Sequence, residues 1–105
     1  MGNTLCNGRL KNNNPKSPIE YFILVTVREY NDYDGGTYID EIKTATDYFS
    51  NHDKAIDEPF YQIYGERYQH DTNYNPIFLG EFYSLDKAKE FLFNITGEIP
   101  QIISY

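Results

Sequence analysis

Apolar and polar side chains alternate along residues 19–28, which is the clearest pattern in the chain. The apolar positions spaced two residues apart are Ile19, Tyr21, Ile23, Val25 and Val27. This period is that of a β-strand with one apolar face. Phe22 and Leu24 make the alternate face apolar as well, which predicts a central strand covered on both sides. The Asp and Gly residues of segment 32–36 then predict a turn, because glycine tolerates positive φ.

A pair of strands followed by a helix is predicted in the last third of the chain. Residues 60–68 and 76–83 are aromatic-rich and strand-like, and the polar segment between them predicts a loop. Ser84 stands where a helix cap belongs, ahead of an amphipathic helix over residues 85–96. The apolar positions of this helix are Leu85, Ala88, Phe91, Leu92 and Ile95. Gly97 predicts its C-terminal end.

A weaker copy of this strand and helix is predicted upstream. Residues 47–55 resemble residues 81–88, with Ser50 in the place of Ser84 and one additional residue before Asp53. Ser50 and Asp53 therefore predict the start of a short helix with a capping box. Segment 37–49 combines apolar spacings compatible with a helix and β-branched and aromatic residues typical of a strand. The copy favours a strand there, and a helix stays as the alternative.

These elements predict an α+β fold with a four-stranded antiparallel sheet. Two helices are expected on one face of the sheet in the order ββαββα, with the second helix the longer. Residues 1–18 contain Asn and Pro with little periodicity, which predicts a flexible N-terminal arm. Residues 19–105 are expected to form a single acidic α+β domain, a length sufficient for a core without disulfides or metal.

Charge is distributed unevenly along the chain. Residues 1–18 hold three bases and no acid, a charge of +3, whereas residues 19–105 hold 16 acids and six bases, a charge of −10. Nine of these acids and two lysines lie between Glu29 and Glu58. Such a surface repels a phosphate backbone, so direct nucleic-acid binding is not expected. It suits a partner protein with a basic surface.

One short segment resembles a known kind of domain. Residues 79–92, a strand that leads into an amphipathic helix, are similar to the final strand and helix of the small DNA-binding arms of phage integrases and plant AP2-type factors. The resemblance implies nucleic-acid binding. Those domains are basic, whereas residues 60–94 hold three bases against five acids. The nucleic-acid activity is therefore not expected to carry over.

Cysteine content and hydropathy indicate the compartment. The single cysteine, Cys6, cannot form an internal disulfide, which excludes a disulfide-stapled secreted scaffold. The longest apolar run, 21–25, is far shorter than the roughly 20 residues of a membrane span, and the N-terminus lacks a secretory signal. We therefore expect a soluble cytoplasmic protein, with membrane association only if Gly2 is acylated. Nothing in the pattern specifies an oligomeric state.

Groups that carry catalysis or bind metals are scarce. The two histidines, His52 and His70, are each followed by Asp, but neighbouring side chains on a strand or helix do not face each other. Asp32, Asp34 and Asp40 lack the glycine and final acid that a calcium loop would place among them. We therefore predict no enzyme activity, no metal and no cofactor.

Aromatic content favours an interaction surface. Eleven tyrosines and seven phenylalanines exceed what one small core needs, and tyrosine suits interfaces because its ring packs while its hydroxyl stays hydrogen-bonded. We expect a small acidic, non-catalytic protein–protein interaction module. It would regulate or inhibit another protein, a class that includes nucleic-acid-mimicking, anti-defence and toxin-neutralising inhibitors.

The residues expected to bind the partner combine the acids of segment 29–58 with strand tyrosines. They are Asp32, Asp34, Asp40, Glu41, Tyr38, Tyr61, Tyr64 and Tyr68. The alternative hypothesis is a small-molecule-binding protein or enzyme that uses a tyrosine-lined cleft, with His70 among its polar groups.

Overall fold

The structure, a computed structural model, describes residues 4–6, 8–14, 16–67, 76–97 and 102–104. Its first strands are β1 (Thr4–Cys6), β2 (Gly8–Lys11), β3 (Ile19–Asn31) and β4 (Thr37–Glu41). They are followed by helix α1 (Ala45–Phe49), a 3-10 turn (His52–Lys54), β5 (Phe60–Arg67), β6 (Ile77–Phe82), α2 (Leu85–Thr96) and β7 (Ile102–Ser104). Within this described part, no helix is long and apolar enough to cross a membrane.

The main sheet has five antiparallel strands arranged around β3. One edge of β3 pairs with β5, from Ile19 opposite Arg67 to Val27 opposite Phe60, and β5 in turn pairs with β6. The other edge of β3 carries two strands placed end to end, with β2 along residues 21–24 and β4 along residues 27–31. Strands β1 and β7 form a separate two-stranded sheet.

The predicted α+β class with an antiparallel sheet is confirmed, but the details differ. The sheet has five strands rather than four, because Gly8–Lys11, which we placed in the arm, pairs with β3. The order differs from ββαββα because β1 and β2 precede that series and β7 follows it. Four residues of alternation in β2 are too few to be recognised without the strand that pairs with them.

The ambiguous segment 37–49 contains both alternatives, a strand and then a helix. Thr44 is the N-cap of α1: its hydroxyl accepts from the Asp47 N–H at 3.2 Å, and the Asp47 carboxylate accepts from the Thr44 N–H at 3.1 Å. This reciprocal pair is a capping box. The prediction that Ser50 begins the helix was wrong, because Ser50 lies at the C-cap and Asn51, with φ of 55°, redirects the chain into the 3-10 turn.

Helix α2 has the predicted bounds. Ser84 occupies the N-cap position with extended backbone, although its side chain makes no capping hydrogen bond, and Gly97 ends the helix with φ of 76°. The left-handed conformation at that position favours glycine. The buried cluster beneath the helix comprises Ala88 and Leu92 of α2 with Phe22, Leu24, Tyr61 and Ile63 of the sheet.

Alternation along β3 and the strand register define two sheet faces. We call the face that carries Phe22, Leu24 and Arg28 the covered face, because α2 packs on its apolar part. We call the opposite side the open face. Its apolar cluster consists of strand residues alone: Val25, Val27 and Phe60, with Ile23 and Tyr64 packed against them.

Candidate protein-binding surface

The open face has two depressions beside its buried apolar cluster, which we call the floor: Val25, Val27 and Phe60. Val27 is 2% exposed and Phe60 is 8% exposed, although no helix packs in their cluster. The larger depression has a volume of about 830 Å³ and includes Val25, Gln62 and Tyr64. The smaller one has a volume of about 460 Å³ and includes Phe60 and Tyr83. The two share Ile39, so they are neighbours on one surface.

Carboxylates surround this floor. Three line the larger depression, Asp40, Glu41 and Asp47, and four line the smaller one, Glu29, Asp57, Glu58 and Glu81. Lys43 also lines the larger depression, and its amino group lies 4.0 Å from the Glu41 carboxylate. In the part of the chain that the structure describes, this is the one ion pair that any of the seven carboxylates makes. The surface therefore presents a concentrated negative charge beside apolar side chains.

A hydrogen-bond network fixes the polar groups between the two depressions. The Tyr64 hydroxyl donates to the Gln62 side-chain oxygen at 2.6 Å, and the Gln62 amide donates to one oxygen of Glu81 at 3.1 Å. The Tyr83 hydroxyl donates to the second Glu81 oxygen at 2.8 Å. Each carboxylate oxygen has two lone pairs, so Glu81 keeps acceptor capacity for a further donor.

Two tyrosines of this network hold their protons more firmly than usual. Burial, followed by the negative charges of Glu41 and Glu81, raises the pKa of Tyr64. The hydrogen bond to Glu81 raises the pKa of Tyr83. Both hydroxyls therefore remain neutral donors at neutral pH, and the negative charge of the surface comes from its carboxylates.

Arg28 supports the acidic rim from within the protein. It is 3% exposed, and its Nε donates to the Asp57 carbonyl at 2.8 Å while Nη1 donates to the Tyr48 carbonyl at 3.4 Å. Its guanidinium carbon lies 4.9 Å from the centre of the Tyr48 ring. Arg28 thus joins α1 to the segment that carries the carboxylates of Asp57 and Glu58. Sequence analysis missed this role, although an arginine within an apolar strand was a visible signal.

The predicted partner-binding residues do not form one group. Glu41 and Tyr64 lie on the open face. Asp40 contributes to the lining of the larger depression, but the register puts it opposite Arg28, on the side of the covered face. Asp32 and Asp34 are exposed in the turn between β3 and β4.

The other predicted tyrosines lie elsewhere. Tyr38 is half-buried and stacks on Tyr30, with ring centres 5.4 Å apart. Tyr61 is 8% exposed and packs in the core of the covered face, so it is not part of the open face. Tyr68 and His70 lie outside the described residues. Sequence analysis also missed the pair Glu81 and Tyr83, since the strand bulge within β6 that sets their side was not predictable.

Metal binding and similarity to known proteins give no further assignment. In the described ranges, no three His, Cys, Asp or Glu side chains are close enough together to hold a metal ion. Comparisons with protein-family models, with curated proteins and with solved structures found no match for this chain.

Proposed function

We propose that this chain is a small acidic, non-catalytic protein–protein interaction module that regulates or inhibits a protein with a basic surface. The observation that carries the proposal is the open face, where a strand-only apolar cluster lies beside two depressions lined by seven acidic residues and one lysine. Apolar side chains supply contact area, and the carboxylates select a partner of opposite charge.

A basic protein suits this surface better than a polynucleotide. Phosphates would approach the carboxylates of the smaller depression, all four of which lack a basic partner in the described chain. Repulsion of this kind opposes association. Lysine and arginine side chains of a protein would instead be attracted from a distance of about 8 to 10 Å at physiological salt.

Isolation of the partner is the first experiment. The tagged chain would be used to capture proteins from its native host, and mass spectrometry would identify them. Stopped-flow kinetics with the purified partner would then measure association at increasing salt. We expect association to slow as salt rises, and to slow further when Glu41 and Glu58, which are exposed and line the two depressions, are replaced by Lys.

Glu90 provides the matched control, because it is exposed on α2, away from the open face. Glu90→Lys changes the net charge by the same amount per site. It therefore distinguishes the effect of charge at the open face from the effect of the protein's net charge. An association rate that changes neither with salt nor with the open-face substitutions would contradict the proposal. If the partner itself binds nucleic acid, competition between this chain and that nucleic acid would test the narrower inhibitor hypothesis.

Binding of a small molecule is the second candidate. The larger depression, about 830 Å³, has the volume of known ligand sites, and the hydroxyl of Tyr64 and the amide of Gln62 line it. A specific ligand would raise the melting temperature in a concentration-dependent way. A thermal-shift screen therefore distinguishes this candidate from the protein-binding module. Loss of the shift in Tyr64→Phe would locate the ligand in this depression.

A further inference from the structure

One end of the open face shows how this surface holds a guanidinium group. The guanidinium carbon of Arg9 lies 3.9 Å from the centre of the Tyr21 ring, and its Nη2 donates to Glu66 at 2.8 Å. The strand register puts Tyr21 and Glu66 side by side on adjacent strands. The arrangement therefore consists of one aromatic ring, one carboxylate and one arginine that contacts both.

The other end of the open face repeats the ring and the carboxylate. Tyr83 is 78% exposed, and its hydroxyl donates to Glu81 at 2.8 Å. The ring of Phe60 lies 5.4 Å from the ring of Tyr83 and forms part of the same depression. No cation in the described chain contacts Glu81 or Tyr83. This end thus has the groups that hold Arg9 at the first end, but no arginine.

We propose that the smaller depression binds an arginine side chain of the partner protein. The guanidinium group stacks on the exposed ring of Tyr83 and donates hydrogen bonds to Glu81, as Arg9 does with Tyr21 and Glu66. This inference rests on the proposed function, and it adds which residue type the partner presents and where that residue is bound.

Arginine fits these groups better than lysine does. A guanidinium is planar, stacks on aromatic rings and is more weakly hydrated than an ammonium group. Ile39 and Pro59 line the depression beside Phe60, so an arriving cation loses part of its water shell. That loss disfavours the strongly hydrated ammonium of lysine. The fixed oxygens of Glu81 also suit the two parallel donors of a guanidinium.

Two matched peptides test the inference with the full chain. Both are flexible Gly-Ser peptides of equal charge, one carrying arginines and the other lysines at the same positions. NMR titration would give both affinities and the residues whose signals shift. We expect the arginine peptide to bind about threefold to tenfold more tightly, with the largest shifts at Tyr83 and Phe60.

Substitutions at Tyr83 and Glu81 locate the site. Tyr83→Leu should abolish the preference for arginine, whereas Tyr83→Phe, which keeps the ring, should retain most of it. Glu81→Gln should weaken the arginine peptide about fivefold. Tyr33→Leu removes an exposed tyrosine at the β3–β4 turn, and Glu90→Gln removes an exposed acid on α2; both controls should bind like the parent chain.

The outcomes separate this inference from the proposed function. Equal, salt-sensitive binding of both peptides would overturn the arginine site and leave a basic partner in place. Arginine preference that survives in Tyr83→Leu would overturn the location. Absence of salt-sensitive binding by either peptide would overturn both proposals. Melting curves of each variant show that a loss of binding does not come from unfolding.

Discussion

The two faces of the main sheet are built from alternate residues of the same strands, yet they are completed in different ways. On the covered face, α2 packs over Leu24 and Ile63, and the core there includes side chains from two kinds of element. On the open face, the cluster of Val25, Val27 and Phe60 includes no helix residue in the described part of the chain. Carboxylates lie around that cluster, whereas Arg28 is buried on the covered face.

This difference shows that burial and helix cover need not coincide. The more uniformly apolar side of β3, with Ile23, Val25 and Val27, is the side whose cluster has no helix residue among the described residues. Long side chains on adjacent strands, such as Glu41 opposite Val27, flank the floor and keep their charged ends in water. A surface of this kind offers apolar contact area with charged groups at its border, as the proposed interaction module would need.

Substitutions on the covered face should lower the stability of the protein more than substitutions on the open face. Leu92 of α2 is 0% exposed and packs against the sheet, so Leu92→Ala should lower the free energy of unfolding by about 2 to 5 kcal/mol. Lys87→Ala, an exposed position on the same helix, should change it by less than about 0.5 kcal/mol. Chemical denaturation measures both. Equal effects would mean that α2 does not close the core.

The open face should also contribute to stability, although less. Val27→Ala removes two buried methyl groups and should lower the free energy of unfolding by about 1.5 to 3 kcal/mol. Ile39→Ala, on the same face but half in water, should cost less. If Val27→Ala left the free energy of unfolding unchanged, Val27 would behave as a solvated surface residue. The two faces would then differ in their contribution to stability more than the burial of Val27 indicates.

Neighbouring residues of β2 lie on opposite faces of the sheet, so substitutions in this strand compare the two faces within one short element. Leu10 packs against the core of the covered face, whereas Lys11 is exposed. Leu10→Ala should lower the free energy of unfolding by about 1 to 2 kcal/mol, and Lys11→Ala should have almost no effect. Denaturation curves decide the point. No effect at Leu10 would mean that β2 adds little to the core, despite its pairing with β3.

The smallest effect concerns the titration of Tyr64. Its raised pKa, caused first by burial and then by Glu41 and Glu81, means that the folded protein favours the protonated phenol. The stabilisation is therefore complete below the ordinary value of 10.0 and is lost as pH rises through the folded value. The stability advantage of the parent chain over Tyr64→Phe should accordingly narrow in alkali. A constant difference in denaturation curves across that range would contradict the assignment.

The sequence was sufficient where local signals agreed. The apolar spacing of 85–96, the position of Ser84 and the glycine at 97 gave α2 its correct bounds. The alternation in β3 and the glycines after Asp34 likewise gave a long strand and its turn, and Gly35 has φ of 82°. Short-range patterns, which depend on a few adjacent residues, specify such elements directly.

Elements that depend on distant partners were not predictable. The pairing of β2 joins residues 8–11 to residues 21–24, and nothing within β2 specifies that register. The upstream copy predicted a helix start at Ser50, whereas the capping box of α1 is formed by Thr44 and Asp47. Tyr61 and Tyr64 belong to the same aromatic strand but lie on opposite faces of the sheet, and Tyr61 is buried in the core. The face on which each tyrosine lies is set by the strand register, not by composition.

Strand β3 is paired along both of its sides, by β2 and β4 on one and by β5 on the other, and this affects how the sheet opens locally. Residues 21–24 pair with β2 on one side and β5 on the other, and Val27 pairs with β4 and β5. An amide hydrogen in this part of β3 faces a paired strand whichever side it points to, whereas in β6 only the amides that face β5 lie in a ladder of the described sheet. Exchange should therefore be slowest along β3, which makes this strand the last part of the sheet to open and the frame on which both faces keep their shape.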